Sequence, residues 1–364
     1  MVVDDAVVVR SLLSRWINEA PGLRLAASLR NGIEAIERLD EANPDVVVLD
    51  VEMPGLDGIS TLPKLLARRR DLVVIMALAL TRDHAEVTLK ALSIGAADYI
   101  PKPAAEGGMI TSVSFQRDLV EKIRVLGARR RRRMPALPLD ARRTITSATR
   151  LPAPAELQRG TFKLRPFSVV PPRVLLIGAS TGGPQVLTKL LPRLGGVAGV
   201  APILITQHMP PTFTTILAEH LGRICGRPVC EAKHGDPVLA GRIYVAPGGK
   251  HMTVARQDRT VSIVLDDGPP VHFCKPAVDP LFASAAEAWG SCTLGLILTG
   301  MGVDGTAGAV KIAAGGGSVI AQDEATSAVW GMPGSAVAAG VCAAVAPLDQ
   351  IAPRITRMFL GAAS

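Results

Sequence analysis

Aromatic side chains are nearly missing from this sequence, at 3% Phe, Trp and Tyr in 364 residues. Whatever cores it forms must therefore be aliphatic, and apolar residues at 48% are ample to build them. Cysteine is as scarce: the five residues at 225, 230, 274, 292 and 342 are an odd number and contain no C-x-x-C pair. That argues against a disulfide framework or a zinc site and for reduced thiols. Long apolar runs are missing too. The longest, Leu72 to Leu80, is strand-sized, so no membrane insertion is expected. Asp4 and Asp5 stand where a signal peptide would carry positive charge. Internal repeats are absent. These absences leave a soluble, cytoplasmic protein, long enough for two or three domains.

One sign of charge is concentrated rather than scarce. Between Gly127 and Arg173 twelve Lys and Arg face two acids, a local balance of +10, so the remaining residues carry −2 of the chain's +8. The same stretch holds "ARRRRRM" (128–134) and seven prolines among Ser and Thr, with no sustained apolar period. It reads as a basic, Pro-rich linker over 127–171. An Arg run also attracts phosphates, so nucleic-acid binding through this linker is the alternative function, although no reading helix or stacking aromatics accompany the charge. Before the linker, apolar runs at 23–29, 45–50, 72–80 and 98–100 alternate with helical periods at 7–20, 32–42, 58–70, 83–95 and 113–126. Pro63 is expected to kink the third of these helices. After the linker come strand 173–179, helix 184–194, strand 202–207, helix 212–223 and a hairpin around "PGGK" (247–250). Strand 294–299, helix 305–314, strand 318–322 and helix 333–340 complete the pattern. Alternation of this kind predicts two α/β domains with mainly parallel sheets.

Ligands bind beyond the carboxyl ends of strands in open α/β sheets. Asp4 and Asp5 follow the first strand, Asp50 ends "DVVVLD", and Lys102 follows the last strand in "YIPKP". Clustered carboxylates suit a hard cation such as Mg²⁺, beside which one carboxylate can attack a phosphoryl group. An Asp at a strand end is more often a turn or cap, but the full set, with "EMPGLDG" (52–58), is specific. Over residues 1–126 the sequence resembles the receiver domain of two-component response regulators, a doubly wound, flavodoxin-like fold. The resemblance implies that Asp50 accepts phosphate from a histidine kinase and that Lys102 contacts it. It also implies that Asp4, Asp5, Asp50 and the backbone carbonyl of Glu52 hold Mg²⁺. Two departures stand out. Leu78 occupies the position where receivers carry a Ser or Thr that reads the phosphorylated state; it cannot donate that hydrogen bond, and Thr81 lies three residues away. Only Met1-Val2-Val3 precede the acids, so the first strand is expected to be weak or truncated.

In the second half, "VLLIGASTGGP" (174–184) runs from an apolar strand into Ser180, glycines and a helix-starting Pro184. Gly178-Ala-Ser180-Thr-Gly182 matches the nucleophile-elbow pattern, weak evidence alone. Among six histidines, His208 stands just beyond another core strand in "PILITQHMPP". Asp304 lies in a glycine-rich loop after a third, in "LGLILTGMGVDGTAG". Its bland reading is a cap for the next helix; set beside Ser180 and His208, orientation of an imidazole is preferred. Ser180 would attack an acyl carbon, His208 move the proton and Asp304 stabilise the imidazolium. Backbone N–H groups at Thr181 and Met301 are the oxyanion candidates, packing being the other reading of Met301. The chain order Ser, His, Asp differs from that of α/β-hydrolases. Rescuing that fold would need His272 with Asp236 or Asp258, neither of which follows a convincing core strand. A phosphate cradle at 178–183 ranks last, because the glycine spacing fits no nucleotide motif.

Residues 172–360 resemble the catalytic domain of the chemotaxis protein-glutamate methylesterases, on "IGASTGGP", "ITQHMPP", "YVAPGGKHM", "LTGMGVDG" and "AQDEATSAVWGMP". The resemblance implies a cofactor-free esterase in 172–364, with Ser180, His208 and Asp304 as its triad. It implies that the substrates are glutamyl γ-methyl esters on chemoreceptors, with deamidation of receptor glutamines in many members. It further implies a chemotaxis histidine kinase as phosphodonor and an unphosphorylated receiver that covers the active site. "KPAVD" (275–279) departs from the family at Ala277, commonly a serine.

Overall fold

The computed structural model describes residues 1–79, 81–102, 109–133 and 163–361. The N-terminal unit alternates β1 (Val2–Val3), α1 (Val7–Glu19), β2 (Ser28–Leu29), α2 (Gly32–Glu37), α3 (Leu39–Ala42), β3 (Val46–Asp50), α4 (Gly58–Arg68), β4 (Val73–Leu78), α5 (Arg82–Ile94), β5 (Asp98–Pro101) and α6 (Met109–Arg133). Its five strands are all parallel, in the order β2-β1-β3-β4-β5. β3 is buried over its whole length, as its unbroken apolar run requires of a strand covered on both faces. The strand order reverses between β1 and β3, which brings Asp4 and Asp50 to one crevice. Pro63 sits inside a continuous α4, whose start Asp57 caps by accepting from the Ser60 N–H. The strand expected over 23–29 shrinks to two residues. Helix α6 runs on to Arg133, so the first part of the expected linker is helical. Arginine is a good helix former, and the first breaker is Pro135. Of the rest of that linker, 134–162 lies outside the described residues, whereas 163–171 is irregular chain held on the C-terminal unit, the Arg165 N–H donating to the Cys342 carbonyl at 2.9 Å.

The C-terminal unit comprises β6 (Val174–Ala179), α7 (Gly183–Leu190), α8 (Gly195–Val200), β7 (Ile203–Gln207), α9 (Phe213–Cys225), β8 (Val229–Glu231), β9 (Ile243–Val245), β10 (His251–Gln257), β11 (Thr260–Asp266), α10 (Val278–Trp289), β12 (Thr293–Ile297), α11 (Thr306–Ala314), β13 (Ser318–Gln322), α12 (Gly331–Ala338), β14 (Ala344–Ala346) and α13 (Leu348–Leu360). Seven strands form a wholly parallel sheet, β14-β13-β12-β6-β7-β9-β8, with β6 at its centre. The chain builds one half outward from β6 through β7 and then crosses to β12, so β6 lies at the switch of strand order. The expected hairpin at 247–250 does not form. β9 pairs within the large sheet, whereas β10 pairs with β11, and that hairpin turns at Asp258 and Arg259. The glycines of "PGGK" serve close packing instead: a Cβ on Gly248 would lie 2.2 Å from the backbone nitrogen of Pro211. Helix 184–194 ends as a 3₁₀ turn over Leu191–Leu194. Strands β8 and β14 and helices α10 and α13 have no counterpart in the sequence reading.

The two units share a core. Leu89, Leu92 and Tyr99 pack in one cluster with Val186, Leu187 and Phe213. Tyr99 stacks on Phe213 with ring centroids 5.3 Å apart and planes 15° from parallel. Gln185 donates to the Ala96 carbonyl at 3.0 Å, and Arg82 pairs with Glu219 at 3.3 Å. Val329 and Met301 join the apolar cluster formed under α1 and α6.

Candidate active site

Ser180 follows β6 at the turn into α7, as its sequence setting predicts. The turn is closed by the Gly183 N–H donating to the Ser180 carbonyl at 2.8 Å. Gly182 makes it feasible with φ +77, a left-handed conformation that costs glycine little. Gln207, the last residue of β7, donates its side-chain amide to the same carbonyl at 2.9 Å. Thr181 is buried, with its carbonyl accepting from the Thr299 hydroxyl at 2.8 Å. Among the described residues no acceptor pairs with the N–H groups of Thr181 and Met301, which leaves both available as oxyanion donors. The Met301 side chain packs against the N-terminal unit, so both readings of this residue keep support.

His208 stands at the end of β7 with its side chain almost wholly covered. Its Nε2 lies 2.7 Å from Asp304 Oδ2, and its Nδ1 lies 3.3 Å from Cys274 Sγ. The ring therefore presents Nε2–H to the carboxylate and leaves Nδ1 as the basic nitrogen. Burial disfavours the charged ring, but hydrogen bonds and charge from Asp304 and Cys274 outweigh it and push the imidazole up to about 10. Asp304 is buried and accepts from the N–H groups of Val278 at 2.6 Å, Asp279 at 3.0 Å and Gly305 at 2.9 Å. Burial would raise this carboxyl, yet the contact with His208 and the N–H donors hold it below its ordinary value. Asp304 accepts from the first turn of α10 as well as from Gly305 ahead of α11, and the same carboxylate contacts His208. Ser180, His208 and Asp304 are thus gathered on one rim, though the Ser180 hydroxyl makes no hydrogen bond among the described residues. The other histidines serve elsewhere. His251 is buried, accepting from the Ala277 N–H and meeting the Pro269 carbonyl. His272 is exposed and lies 3.4 Å from Asp279. Neither Asp236 nor Asp258 pairs with it: Asp236 accepts from the Lys233 N–H and Asp258 turns the β10–β11 hairpin.

On the rim of the N-terminal sheet, Lys102 Nζ lies 2.8 Å from Asp4 and 2.7 Å from Asp50. Oxygens of Asp4, Asp5 and Asp50 lie within 4.8 Å of one another. Burial pushes the Asp50 carboxyl up to about 6, against the pull of Lys102. Leu78 ends β4 fully buried, and Thr81 does not replace a hydroxyl there. It caps α5 by accepting from the His84 N–H and bonds His84 Nδ1 at 2.8 Å. His84 Nε2 in turn meets the Glu52 carboxylate at 3.0 Å, so that side chain points away from the aspartates toward α5. Sequence reasoning missed His84, Gln207 and Cys274. "TQH" placed Gln207 next to the base, but Cys274 is 66 residues from His208 and no spacing ties them.

The CheB methylesterase family model matches residues 175–355, and that of the response regulator receiver domain matches residues 1–114. A protein-glutamate methylesterase/protein-glutamine glutaminase of Bradyrhizobium diazoefficiens is 57% identical, covering 99% of this chain and 94% of its own. One from Rhodopseudomonas palustris is 56% identical over the same shares. The crystal structure of the Thermotoga maritima CheB methylesterase catalytic domain aligns with a TM-score of 0.50 at 40% identity, over 52% of this chain and all of that one.

Proposed function

Since the chain belongs to the CheB methylesterase family and carries a receiver domain ahead of the catalytic one, we propose that it hydrolyses glutamyl γ-methyl esters of chemoreceptors through Ser180, His208 and Asp304. The observation that carries the reading is the His208–Asp304 contact of 2.7 Å on the rim where the Ser180 elbow ends β6. Nδ1 takes the Ser180 proton as Oγ attacks the ester carbon, and the N–H groups of Thr181 and Met301 receive the oxyanion. The same proton goes to the departing methoxide, methanol leaves, and water releases the glutamate by the reverse proton path. An amide in place of the ester would lose ammonia, which gives the glutaminase reaction named for the relatives.

Control belongs to the receiver. Asp50 is the phosphoryl acceptor from a histidine kinase and Lys102 its cationic contact. Asp4, Asp5 and Asp50 offer the hard oxygen donors that fit Mg²⁺, with Glu52 supplying its carbonyl. Bound there, the ion would offset charge on the incoming phosphoryl group. The domain limits proposed are receiver 1–126, linker 127–171 and esterase 172–364, with α6 carrying the last receiver helix into the linker as far as Arg133. Among the described residues no helix is long and apolar enough to cross a membrane, which agrees with work in the cytoplasm on the cytoplasmic part of receptors. The nucleic-acid alternative finds no support in either family match.

The test is methanol release from membranes carrying methylated receptors, using the full chain and Ser180→Ala, with and without a small phosphodonor and Mg²⁺. Release by the native chain and none by Ser180→Ala is expected. Equal release by both would remove the triad assignment.

A further inference from the structure

The esterase mechanism leaves one side chain beside the base unused. Cys274 lies at the mouth of the site, half-buried, with Sγ 3.3 Å from His208 Nδ1, the nitrogen that must receive the Ser180 proton. Sγ also lies 3.5 Å from the carbonyl of His272, so its S–H has two acceptors within reach. The segment that holds it is tightly closed: Val271 and Cys274 exchange backbone hydrogen bonds of 3.1 and 2.9 Å. His272 and Phe273 between them adopt φ 50 and φ 64, the left-handed region that non-glycine residues seldom enter. The Phe273 ring lies under the Arg117 guanidinium of α6, 4.0 Å from its centroid. The other thiols have no such setting; burial alone pushes Cys342 up to about 12.

We propose that Cys274 is a positioning residue for the esterase base: its thiol holds Nδ1 of His208 at rest and yields it to Ser180 by turning its S–H to the His272 carbonyl. The inference rests on His208 being that base. Two states follow from the geometry. With the proton on sulfur, the S–H donates to Nδ1 and competes with the Ser180 hydroxyl, which makes no hydrogen bond among the described residues. With the proton passed from sulfur to Nδ1, a thiolate–imidazolium pair forms, and the base cannot accept from Ser180 until that proton leaves. The titratable groups facing the ring are Asp304 from the loop after β12, whose carboxylate favours the protonated ring, and, behind it, Asp279 of α10 and His272. The direction of the imidazole's titration agrees, since Cys274 and Asp304 both raise it.

The experiment follows methanol release against pH for the full chain, Cys274→Ala, Cys274→Ser and Ser180→Ala, with iodoacetamide as the thiol probe and labelled sites read by mass spectrometry. Serine keeps a neutral donor of similar shape but forms no anion at these pH values, so it guards against a merely structural loss. In both Cys274 variants the acid limb of the profile should move to lower pH by about one unit or more, the scale of losing one close opposite charge. Iodoacetamide should inactivate the native chain with label on Cys274 and spare Cys274→Ser. An acid limb that coincides with the native one in Cys274→Ser, or full release after Cys274 is labelled, would overturn the inference. Continued release by Ser180→Ala would instead overturn the esterase reading on which it rests.

Discussion

Asp304 and Asp50 show how the same side chain acquires opposite chemistry from its surroundings. Asp304 is buried but accepts three N–H groups and faces His208, so it stays ionised. Asp50 is also buried, and Lys102 with the Val51 N–H does not offset burial and the nearby Asp4, so its carboxyl rises to about 6. A folded value above the ordinary 3.8 means that the fold disfavours the ionised form. At neutral pH Asp50 therefore costs stability, and that cost disappears as pH falls through 6 toward 4. Asp50→Asn should raise the unfolding free energy of the receiver at pH 7 by about 1–3 kcal/mol, the scale of a two-unit shift. The gain should shrink to nothing near pH 4. Urea titrations at the two pH values read this out, and equal gains at both would show that the charge is not the cause. In the proposed phosphoryl transfer Asp50 would attack in this ionised form, so the cost would be one that chemistry imposes.

At the scale of elements, the strand β6 and helix α7 matter through the three residues that join them. The sequence legibly marks this join, because an apolar run, a serine, two glycines and a proline have one economical arrangement, a sharp strand-to-helix turn. The crowding of the turn is not legible. A Cβ on Gly182 would lie 2.5 Å from the Cβ of Ala328, a residue 146 positions later, besides facing φ +77. Gly182→Ala should lower the unfolding free energy of the catalytic unit by roughly 2–4 kcal/mol, from left-handed strain plus overpacking. Methanol release should fall with it, since Ser180 moves with the turn. Fluorescence of Trp289 and Trp330 during urea unfolding measures the loss; a change under about 0.5 kcal/mol, the surface-site range, would mean that the turn relaxes freely. By contrast, the glycines of "PGGK" suggested a hairpin and instead let the chain pass close to Pro210 and Pro211 behind His208. Turn chemistry says that a chain bends, not which strand it then joins.

At the scale of the molecule, α5 connects the two sites. Its first turn touches the phosphorylation rim, where His84 meets Glu52, and the catalytic unit, where Arg82 meets Glu219. Leu78 offers no hydroxyl at the end of β4, and this turn is a polar link between the Asp50 rim and the catalytic unit, beside the apolar core that the two units share. Arg82→Glu sets like charges 3.3 Å apart across the interface and should raise release without phosphodonor about 2–5-fold, as expected for an exposed pair worth up to about 1 kcal/mol. Adding Glu219→Arg should return it to the native level. Unchanged basal release in the single variant would show that this contact does not hold the units together.

Alternating apolar and helical patterns, the strand-end acids, Lys102, Ser180, His208 and Asp304 were all determined by local sequence, because strand ends and turns have chemistry readable over a few residues. Strand order, the sharing of Asp304 between His208 and α10, the stacking of Tyr99 on Phe213 and the approach of Cys274 to the base were decided only by the tertiary structure. Each joins residues tens to more than a hundred positions apart, and no pattern within a single element encodes which distant partner fills the space beside it.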